Sequence, residues 1–496
     1  MQRSSGILFH ISSLPSPCGI GTLGKEAYKF VDFLQRAKQS YWQMLPLGPT
    51  SYGDSPYQSF SAVAGNPYFI DLETLVENGL LVPQDLDCNW GDDPMRVDYG
   101  RIFEHRFNVL KRAFMRAECD TALLEKIDAF TAENADWIED YALFMALKDE
   151  NGGHPWTQWP EGERLRNPES LDAAKERLAN RIDFYRFLQY AFQKQFCALK
   201  TYANGKGVRI IGDLPIYVPL DSADVWASPA EFQLDASRRP LAVAGVPPDY
   251  FSADGQLWGN PLYDWDHMKQ NGYAWWMGRM QAAAHQFDVI RIDHFRGLSS
   301  YWRVPTGETT ARNGEWIPGP GMDFVNALKT AFPDLTVIAE DLGFLTDDVR
   351  SLVDNSGYPG MKVLQFAFDA REPSNYLPHT YPRNCVCYTG THDNTTAVGW
   401  FTEASADDVA MAVRYLGLNA QEGYHWGMLR GGMGSVADLF VAQMQDYLGL
   451  DATARMNIPG TIGGNNWRWR MLPGQLTDEL ADKIAEYCRI FGRICF

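Results

Sequence analysis

Short apolar runs alternate with longer amphipathic segments along much of this chain of 496 residues. The runs are rich in β-branched and aromatic residues, as strands are, and the segments between them repeat apolar residues at helical spacing. Eight runs have the length of core strands: residues 6–11, 41–46, 208–213, 288–293, 335–340, 361–367, 385–389 and 454–458. This alternation predicts an α/β fold, a (β/α)8 TIM barrel, whose working residues lie at the carboxyl ends of the strands.

The helical segments supply the crossovers and two insertions of such a barrel. Predicted crossover helices cover residues 25–38, 277–287, 322–332, 346–355, 406–417, 435–448 and 477–491. Residues 49–205 are too many for one crossover, and the helical patterns at 103–117, 121–149 and 170–203 predict an inserted helical subdomain after strand 2. Residues 214–275 contain Pro, Gly, Trp and Tyr with little periodicity, which favours an inserted active-site wall after strand 3. We expect residues 1–496 to form a single elaborated catalytic domain.

Three of the later apolar runs end on a carboxylate. They read DVIRID to Asp293, LTVIAE to Glu340 and CVCYTGTHD to Asp393. Taken singly, an acid after a strand commonly caps the next helix or makes a turn hydrogen bond. If the three strands share one sheet, however, the acids converge at its edge, and convergent carboxylates are the groups that cleave glycosidic bonds.

The neighbours of the three acids indicate different roles. Arg291 lies two residues before Asp293, so on a strand both side chains point to one face, where the guanidinium can keep a nucleophile ionised. Glu340 follows the apolar Val-Ile-Ala, and an apolar setting can raise a carboxyl pKa enough to keep a proton for donation. His392 and Asn394 flank the third acid with neutral groups suited to holding sugar hydroxyls.

Seven segments together match known signatures. They read, in order, GILFHISSLPSP, GDSPYQSFSAVAGNPY, GDLPIYV, RIDHFRG, AEDLG, THDN and NNWRWR, from about residue 6 to about residue 470. In this combination the chain resembles the 4-α-glucanotransferases called amylomaltases or disproportionating enzymes, a branch of the α-amylase superfamily. Many α-amylases end the third segment with Asn-His, whereas Asp213 is followed here by Leu-Pro-Ile-Tyr-Val. That departure argues against an ordinary α-amylase.

The resemblance implies a role for each matching position. Asp293 corresponds to the nucleophile, Glu340 to the acid/base and Asp393 to the carboxylate that stabilises the transition state. The accompanying residues of the wider superfamily are Asp213, Arg291 and His392.

Other residues of these segments and of the second insertion are expected to bind the sugar, because aromatic rings can stack on sugar faces and exclude water. The aromatic candidates are Tyr57, Tyr250, Phe251, Trp258 and Trp467. The polar candidates are Ser55, His294 and Asn394. Two plainer interpretations stay open: a proline-stiffened loop whose aromatics only plug the rim, and core packing of the tryptophan in NNWRWR.

The resemblance implies a retaining double displacement through a covalent glucosyl-enzyme, with a maltooligosaccharide or α-1,4-glucan as donor and a glucan or glucose 4-hydroxyl as acceptor. Such a mechanism requires the nucleophile and acid/base carboxyl groups about 5–5.5 Å apart. Transfer and hydrolysis share the first half-reaction, and only the water-excluding aromatic loop favours transfer on physical grounds. An α-1,4-glucan hydrolase and a non-catalytic glycan-binding protein are the alternatives.

A dinucleotide-binding oxidoreductase is a further alternative, because residues 19–24 fit G-x-G-x-x-G before a helix. Residues 12–18, which include two prolines, separate these glycines from the preceding strand. The tight strand-to-helix turn of a dinucleotide site is therefore missing.

Composition excludes several classes of partner. The net charge of −18 repels phosphate backbones and no basic cluster offsets it, so no nucleic-acid partner is expected. We see neither a signal peptide nor an apolar run of 18 residues, which predicts a cytoplasmic protein without membrane contact. The eight scattered cysteines predict reduced thiols, and no motif calls for a metal or other cofactor. The oligomeric state is open.

Overall fold

The computed structural model describes residues 2–51, 53–248, 252–343, 345–372 and 374–494. The strands, numbered in chain order, are β1 (Ser4–Leu8), β2 (Tyr41–Gln43), β3 (Arg209–Leu214), β4 (Ala242–Val246), β5 (Gln256–Pro261), β6 (Val289–Ile292), β7 (Ser300–Pro305), β8 (Glu315–Pro318), β9 (Thr336–Ala339), β10 (Gly360–Val363), β11 (Cys385–Tyr388) and β12 (Leu439–Gln443). The α-helices are α1 (Lys25–Arg36), α2 (Leu72–Glu77), α3 (Tyr99–Ala117), α4 (Thr121–Glu133), α5 (Ile138–Glu150), α6 (Glu161–Arg164), α7 (Pro168–Arg177), α8 (Ala179–Gly205), α9 (Ala223–Ala227), α10 (Trp265–Gln270), α11 (Ala274–Gln286), α12 (Gly321–Ala331), α13 (Asp347–Ser356), α14 (Ala397–Glu403), α15 (Ala406–Leu416), α16 (Tyr424–Gly434), α17 (Met444–Tyr447) and α18 (Asp478–Ile490).

Eight of these strands form one parallel sheet, in the order β10-β11-β12-β1-β2-β3-β6-β9. The two end strands of that order meet where the backbone N–H of Ala339 donates to the carbonyl of Pro359 at 3.0 Å, so the sheet curls into a nearly closed barrel. Almost every residue of the eight strands is buried, as expected when side chains fill the barrel and helices cover it. The predicted (β/α)8 barrel is confirmed.

Helix α1 shows how a crossover is held on the barrel. Ala27, Phe30, Val31 and Leu34 recur at helical spacing and are fully buried. The Phe30 ring packs against Trp42 of β2, with ring centroids 4.8 Å apart. Burial of each large apolar side chain contributes about 1.5–3 kcal/mol. Packing of this apolar stripe therefore fixes the helix against the barrel wall.

The prediction for the eighth barrel strand is wrong. Residues 435–448, predicted as a helix, contain β12, whereas residues 454–458, predicted as the strand, lie outside any strand. Every residue of β12 is buried, and the run Leu-Phe-Val-Ala before Gln443 is continuously apolar, so it lacks the alternation of a half-exposed strand. The crossover helix before it is the glycine-rich α16, which the apolar spacing does not predict.

The two long stretches between barrel strands contain more elements than the sequence predicts. The predicted helices 121–149 and 170–203 are each two helices, broken at residues 134–137 and at Leu178. In the region 214–275, β4 and β5 pair with β7 and β8 in an antiparallel sheet of order β5-β4-β7-β8, and none of these strands was expected from the sequence. The division of the chain into a catalytic domain with a helical subdomain and an active-site wall stays a proposal.

No helix among the described residues is long and apolar enough to cross a membrane. The seven cysteines that the structure describes are free thiols. The cytoplasmic location stays a prediction.

Candidate active site

Strand register places two of the predicted acids side by side. The adjacent strands β6 and β9 pair in parallel, with Ile292 opposite Ala339 at their carboxyl ends. Asp293 and Glu340 are the next residue of each strand. Both acids therefore lie at the same end of the barrel, at neighbouring positions, as expected for residues that follow paired parallel strands.

A buried cation joins Asp293 to a second acid. Arg291 of β6 pairs in register with Asp213 of β3. Its Nη1 lies 2.6 Å from Oδ1 of Asp213 and 2.9 Å from Oδ1 of Asp293. Burial lowers the pKa of Arg291, but the charges of the two acids outweigh burial and keep this pKa well above its usual value. Burial also raises the pKa of Asp213, and the positive charge of Arg291 opposes this rise. The side chain of Asp293 is 28% exposed, so it is the member of the cluster that a ligand can reach.

Glu340 lies in a different environment. Its Oε2 accepts from the backbone N–H of His294 at 2.7 Å, and its Oε1 accepts from the backbone N–H of Leu342 at 2.7 Å. Burial, followed by the negative charge of Asp293, raises the pKa of Glu340 to about 7, although Arg291 and the two N–H groups oppose the rise. Glu340 is therefore close to half protonated near neutral pH.

The backbone of His294 explains how the Glu340 carboxyl is held next to Asp293. His294 has a left-handed φ of 53°, which is uncommon for a residue other than glycine. This conformation turns its N–H towards Glu340 directly after the strand ends. Burial lowers the pKa of His294 to about 3, so its imidazole is neutral at ordinary pH. The hydrogen bond from this strained residue thus holds the Glu340 carboxyl against the residue that follows Asp293.

Tyr57 connects the acid cluster to His392. Its hydroxyl donates to Oδ2 of Asp213 at 2.7 Å and lies 3.3 Å from Nδ1 of His392. The two rings stack at 4.9 Å with planes 21° apart. Burial raises the pKa of Tyr57 well above its usual value, so the hydroxyl stays protonated. The Tyr57 ring is therefore held in one orientation at the barrel mouth.

Asp393 follows β11 on a turn and is the most exposed of the candidate acids, with 43% of its side chain accessible. Its Oδ1 accepts from the Asn457 amide at 2.6 Å and lies 3.3 Å from Nε2 of His392. Tyr57 contacts His392, and His392 contacts Asp393, so the third acid lies at the same mouth as the other two.

Two polar candidates hold the loops on which other candidates lie. The side-chain oxygen of Asn394 accepts from the backbone N–H and the hydroxyl of Thr391, at 2.9 and 3.0 Å, and closes the turn that contains His392 and Asp393. Ser55 Oγ accepts from the backbone N–H two residues later at 3.3 Å, which orders the approach to Tyr57. These contacts give both residues a structural role beside the predicted contact with sugar.

Two aromatic candidates lie near the mouth but differ in exposure. Trp258 of β5 lies edge-on to the ring of His294, with centroids 4.8 Å apart. Trp467 is 5% exposed, and its ring lies 5.8 Å from His392 and 5.9 Å from Tyr57. Trp467 is therefore largely packed behind the mouth, whereas Trp258 presents part of its surface there. The candidates Tyr250 and Phe251 lie outside the described residues.

Arg455 and Asn457 were not predicted from the sequence as residues of the site. They lie in the segment predicted as the eighth strand, and the structure brings both against Asp393, 62 and 64 residues earlier in the chain. No local pattern marks such a contact, because it depends on how the chain returns across the mouth after β12. The tripeptide Arg-Met-Asn before Ile-Pro-Gly was the only available signal, and it is equally typical of a turn.

This arrangement suits acid, base and nucleophilic chemistry on a neutral ligand. One acid is ion-paired with a buried cation, its neighbour has a pKa of about 7, and a third acid is exposed nearby. Within the part of the chain that the structure describes, no group of three or more His, Cys, Asp or Glu residues is arranged to hold a metal ion. The prediction that no cofactor is needed stays a prediction.

Comparison with known proteins agrees with this geometry. The profile of glycoside hydrolase family 77, described as 4-alpha-glucanotransferase, matches residues 9–476. The 4-alpha-glucanotransferase of Clostridium butyricum is 47% identical over 487 residues, covering 98% of this chain and 99% of its own. That of Thermus thermophilus is 48% identical over 489 residues, covering 97% of each chain.

Solved structures give the same result. The amylomaltase of Streptococcus agalactiae, solved in complex with acarbose, superposes with a TM-score of 0.97 at 42% identity and covers all of both chains. The amylomaltase of Corynebacterium glutamicum has a TM-score of 0.78 at 18% identity, covering 98% of this chain and 75% of its own, and shows the shared fold. The match in sequence over almost the full length, together with the strand-end acids, shows that this chain belongs to the 4-alpha-glucanotransferase family.

Proposed function

We propose that the chain transfers α-1,4-glucan segments from a maltooligosaccharide donor to the 4-hydroxyl of an acceptor glucan or glucose, with retention of configuration. The observation that carries this proposal is the contrast between the neighbouring acids Asp293 and Glu340. Asp293 is paired with Arg291, whereas burial gives Glu340 a pKa of about 7. Two neighbouring carboxyl groups in such different environments can divide the roles of nucleophile and proton donor.

In the first half-reaction, Glu340 donates its proton to the glycosidic oxygen as the bond from that oxygen to the anomeric carbon breaks. Asp293 attacks the anomeric carbon from the opposite face and forms a β-linked glucosyl ester. Since Oδ1 of Asp293 contacts Arg291, Oδ2 is the oxygen free to attack. The shortened donor leaves with the proton of Glu340.

In the second half-reaction, Glu340 acts as a base instead of an acid. Formation of the ester removes the negative charge of Asp293, which is one cause of the raised pKa of Glu340. The pKa therefore falls, and the ionised Glu340 takes the proton of the acceptor 4-hydroxyl as that oxygen attacks the anomeric carbon. Two inversions restore the α-linkage. This sequence requires the two carboxyl groups to lie about 5–5.5 Å apart.

We assign the exposed Asp393 to stabilising the oxocarbenium-like transition state. Its Oδ1 has two protein partners, which supports a role for Oδ2 in contacting the sugar hydroxyls. His392 and Arg291 complete the surroundings of the reacting sugar. Stacking or polar contact with flanking sugars is proposed for Tyr57, Trp258, Trp467, Tyr250, Phe251, Ser55, His294 and Asn394. The acarbose complex of the Streptococcus agalactiae amylomaltase supports a saccharide ligand for this mouth.

Transfer is favoured over hydrolysis because the aromatic surface of Trp258 beside His294 can bind an acceptor sugar and displace water. Family membership supports the same choice. The alternative of a dinucleotide site is not favoured, since the turn Ile11–Ser13 separates the glycines at 19–24 from β1.

The test is chromatography of the products formed from maltotriose, with and without isotopically labelled glucose. We expect glucose together with maltooligosaccharides longer than the donor, and we expect the label to enter the longer products. Net cleavage without lengthening or incorporation would make the protein a hydrolase. Absence of any product would favour the non-catalytic glycan-binding alternative.

A further inference from the structure

The segment 455–457 crosses the barrel mouth and is tied to the loop of Asp393 by a closed set of hydrogen bonds. The backbone N–H of Asn457 donates to the carbonyl of His392 at 3.1 Å, and its side-chain amide donates to Oδ1 of Asp393 at 2.6 Å. Arg455 donates to the carbonyl of Asp393 at 2.5 Å and to the carbonyl of Asn457 at 2.7 Å. Both main chain and side chain of Asp393 are therefore held from one side.

The contacts of the Asp393 carboxylate are unequal. Both protein contacts found for it, Asn457 Nδ2 and His392 Nε2, lie on Oδ1. A hydrogen bond to a charged acceptor is about twice as strong as one between neutral groups, so the short amide contact strongly restrains rotation of the carboxylate. Rotation is further limited because the main chain of Asn457 is also held. Its N–H donates to the carbonyl of His392, and its carbonyl accepts from Arg455.

We propose that Asn457 is a positioning residue for the transfer reaction: its amide holds Oδ1 of Asp393 so that Oδ2 faces the sugar bound next to Asp293. This inference rests on the proposed function and on the role assigned there to Asp393. A neutral donor suits the position, since it fixes the carboxylate without forming an ion pair that would weaken the field of Asp393 at the reacting carbon.

The charge of the partner matters because other groups already face Asp393. His392 lies on its own loop, Arg455 reaches its main chain from the 455–457 segment, and Tyr57 approaches from the loop after β2. An acid in place of the amide would have the same shape but would repel Asp393. Two carboxyl groups at hydrogen-bond distance disfavour the presence of both negative charges, so the variant should require a higher pH for activity.

The experiment compares Asn457→Asp and Asn457→Ala with wild type in maltotriose disproportionation across pH, with thermal unfolding recorded for each protein. For Asn457→Asp we expect kcat to fall by about 10- to 100-fold, the loss typical of a misplaced catalytic group, and the acid limb of kcat/KM to move to higher pH. Asn457→Ala should lower kcat without moving that limb. KM should change less than kcat in both variants.

Asn384→Asp is the matched control. Asn384 precedes β11, at the opposite end of the barrel, and its exposed side-chain amide donates to the carbonyl of Gly357 at 3.1 Å. The substitution likewise removes an amide donor and adds a negative charge, so it should leave kcat and the pH profile unchanged. This control separates loss of a hydrogen bond in general from its loss at Asp393.

A folded Asn457→Asp variant with wild-type kcat and pH profile would overturn the inference. If Asn457→Asp does not fold, the comparison moves to Asn457→Ser, which retains a donor, and Asn457→Ala. Equal kcat values for the Ser and Ala variants would then overturn it. Failure of wild type itself to lengthen maltotriose would instead overturn the proposed function, so the two failures are distinguishable.

Discussion

The ends of β6 and β9 are neighbours in one sheet, yet they surround their acids in opposite ways. At β6, Asp293 shares the buried guanidinium of Arg291 with Asp213. At β9, the hydrogen-bond donors to Glu340 are two backbone N–H groups. Burial and the charge of Asp293 raise the pKa of Glu340 to about 7, although these two donors and Arg291 oppose the rise. One strand pair therefore carries two carboxyl groups in different electrostatic environments.

The difference also depends on order along the chain. Arg291 lies two residues before Asp293 and reaches it along the strand, whereas the corresponding neighbour of Glu340, Ile338, is fully buried and apolar. The two strands share one backbone geometry, and they differ in the side chain that lies two residues before the acid. Substitutions at the two acids test this contrast directly.

The largest effect is expected for Asp293→Asn. The amide cannot form the glucosyl ester, so transfer from maltotriose should fall by a factor on the order of 10⁴ to 10⁶. Arg291 keeps its pair with Asp213, so the thermal unfolding midpoint should change little. Product chromatography and a thermal melt measure the two quantities.

Asp288→Asn serves as the control for that loss, because Asp288 lies directly before β6, at the far end of the barrel, and accepts from the backbone N–H of Ile210. It should retain activity close to that of wild type. A decrease in transfer of less than tenfold for Asp293→Asn, with the fold intact, would remove Asp293 from the nucleophile role.

A smaller loss is expected for Glu340→Gln. With maltotriose, removal of the proton donor should reduce the rate of the first half-reaction by about 10²- to 10⁴-fold. With maltosyl fluoride, whose leaving group needs no proton, the initial release of fluoride should stay near the wild-type rate. Fluoride measured in a single turnover therefore separates proton donation from nucleophilic attack. An equal loss with both donors would assign Glu340 to another role.

The contrast between the two acids could be predicted only in part from the sequence. Arg291 two residues before Asp293, and Val-Ile-Ala before Glu340, were sufficient to expect opposite environments. The resemblance to amylomaltases identified the same acids. The hydrogen bonds from His294 and Leu342 to Glu340 were not predictable, because they depend on a left-handed residue after the strand and on the pairing of β6 with β9.

Elsewhere the prediction fails where burial removes the local signal. Strand β12 is buried at every residue and reads as a helix, while the segment 454–458 reads as a strand but contains Asn457, which binds Asp393. Periodicity reports which face of an element is exposed, so it cannot assign an element with no exposed face. Contacts across some 60 residues likewise require the three-dimensional path of the chain.

The pH profile gives the smallest and most specific test of the contrast. Glu340 must be protonated in the free enzyme, and burial together with Asp293 raises its pKa to about 7. The protonated fraction of Glu340, and with it kcat/KM for maltotriose, should therefore fall about tenfold per pH unit above this pKa. A carboxyl NMR titration of the inactive Asp293→Asn variant should give a lower pKa for Glu340, because the repelling charge is gone. An alkaline limb well below pH 7 in wild type, or an unchanged Glu340 pKa in the variant, would show that the two strand ends do not interact as neighbouring charges.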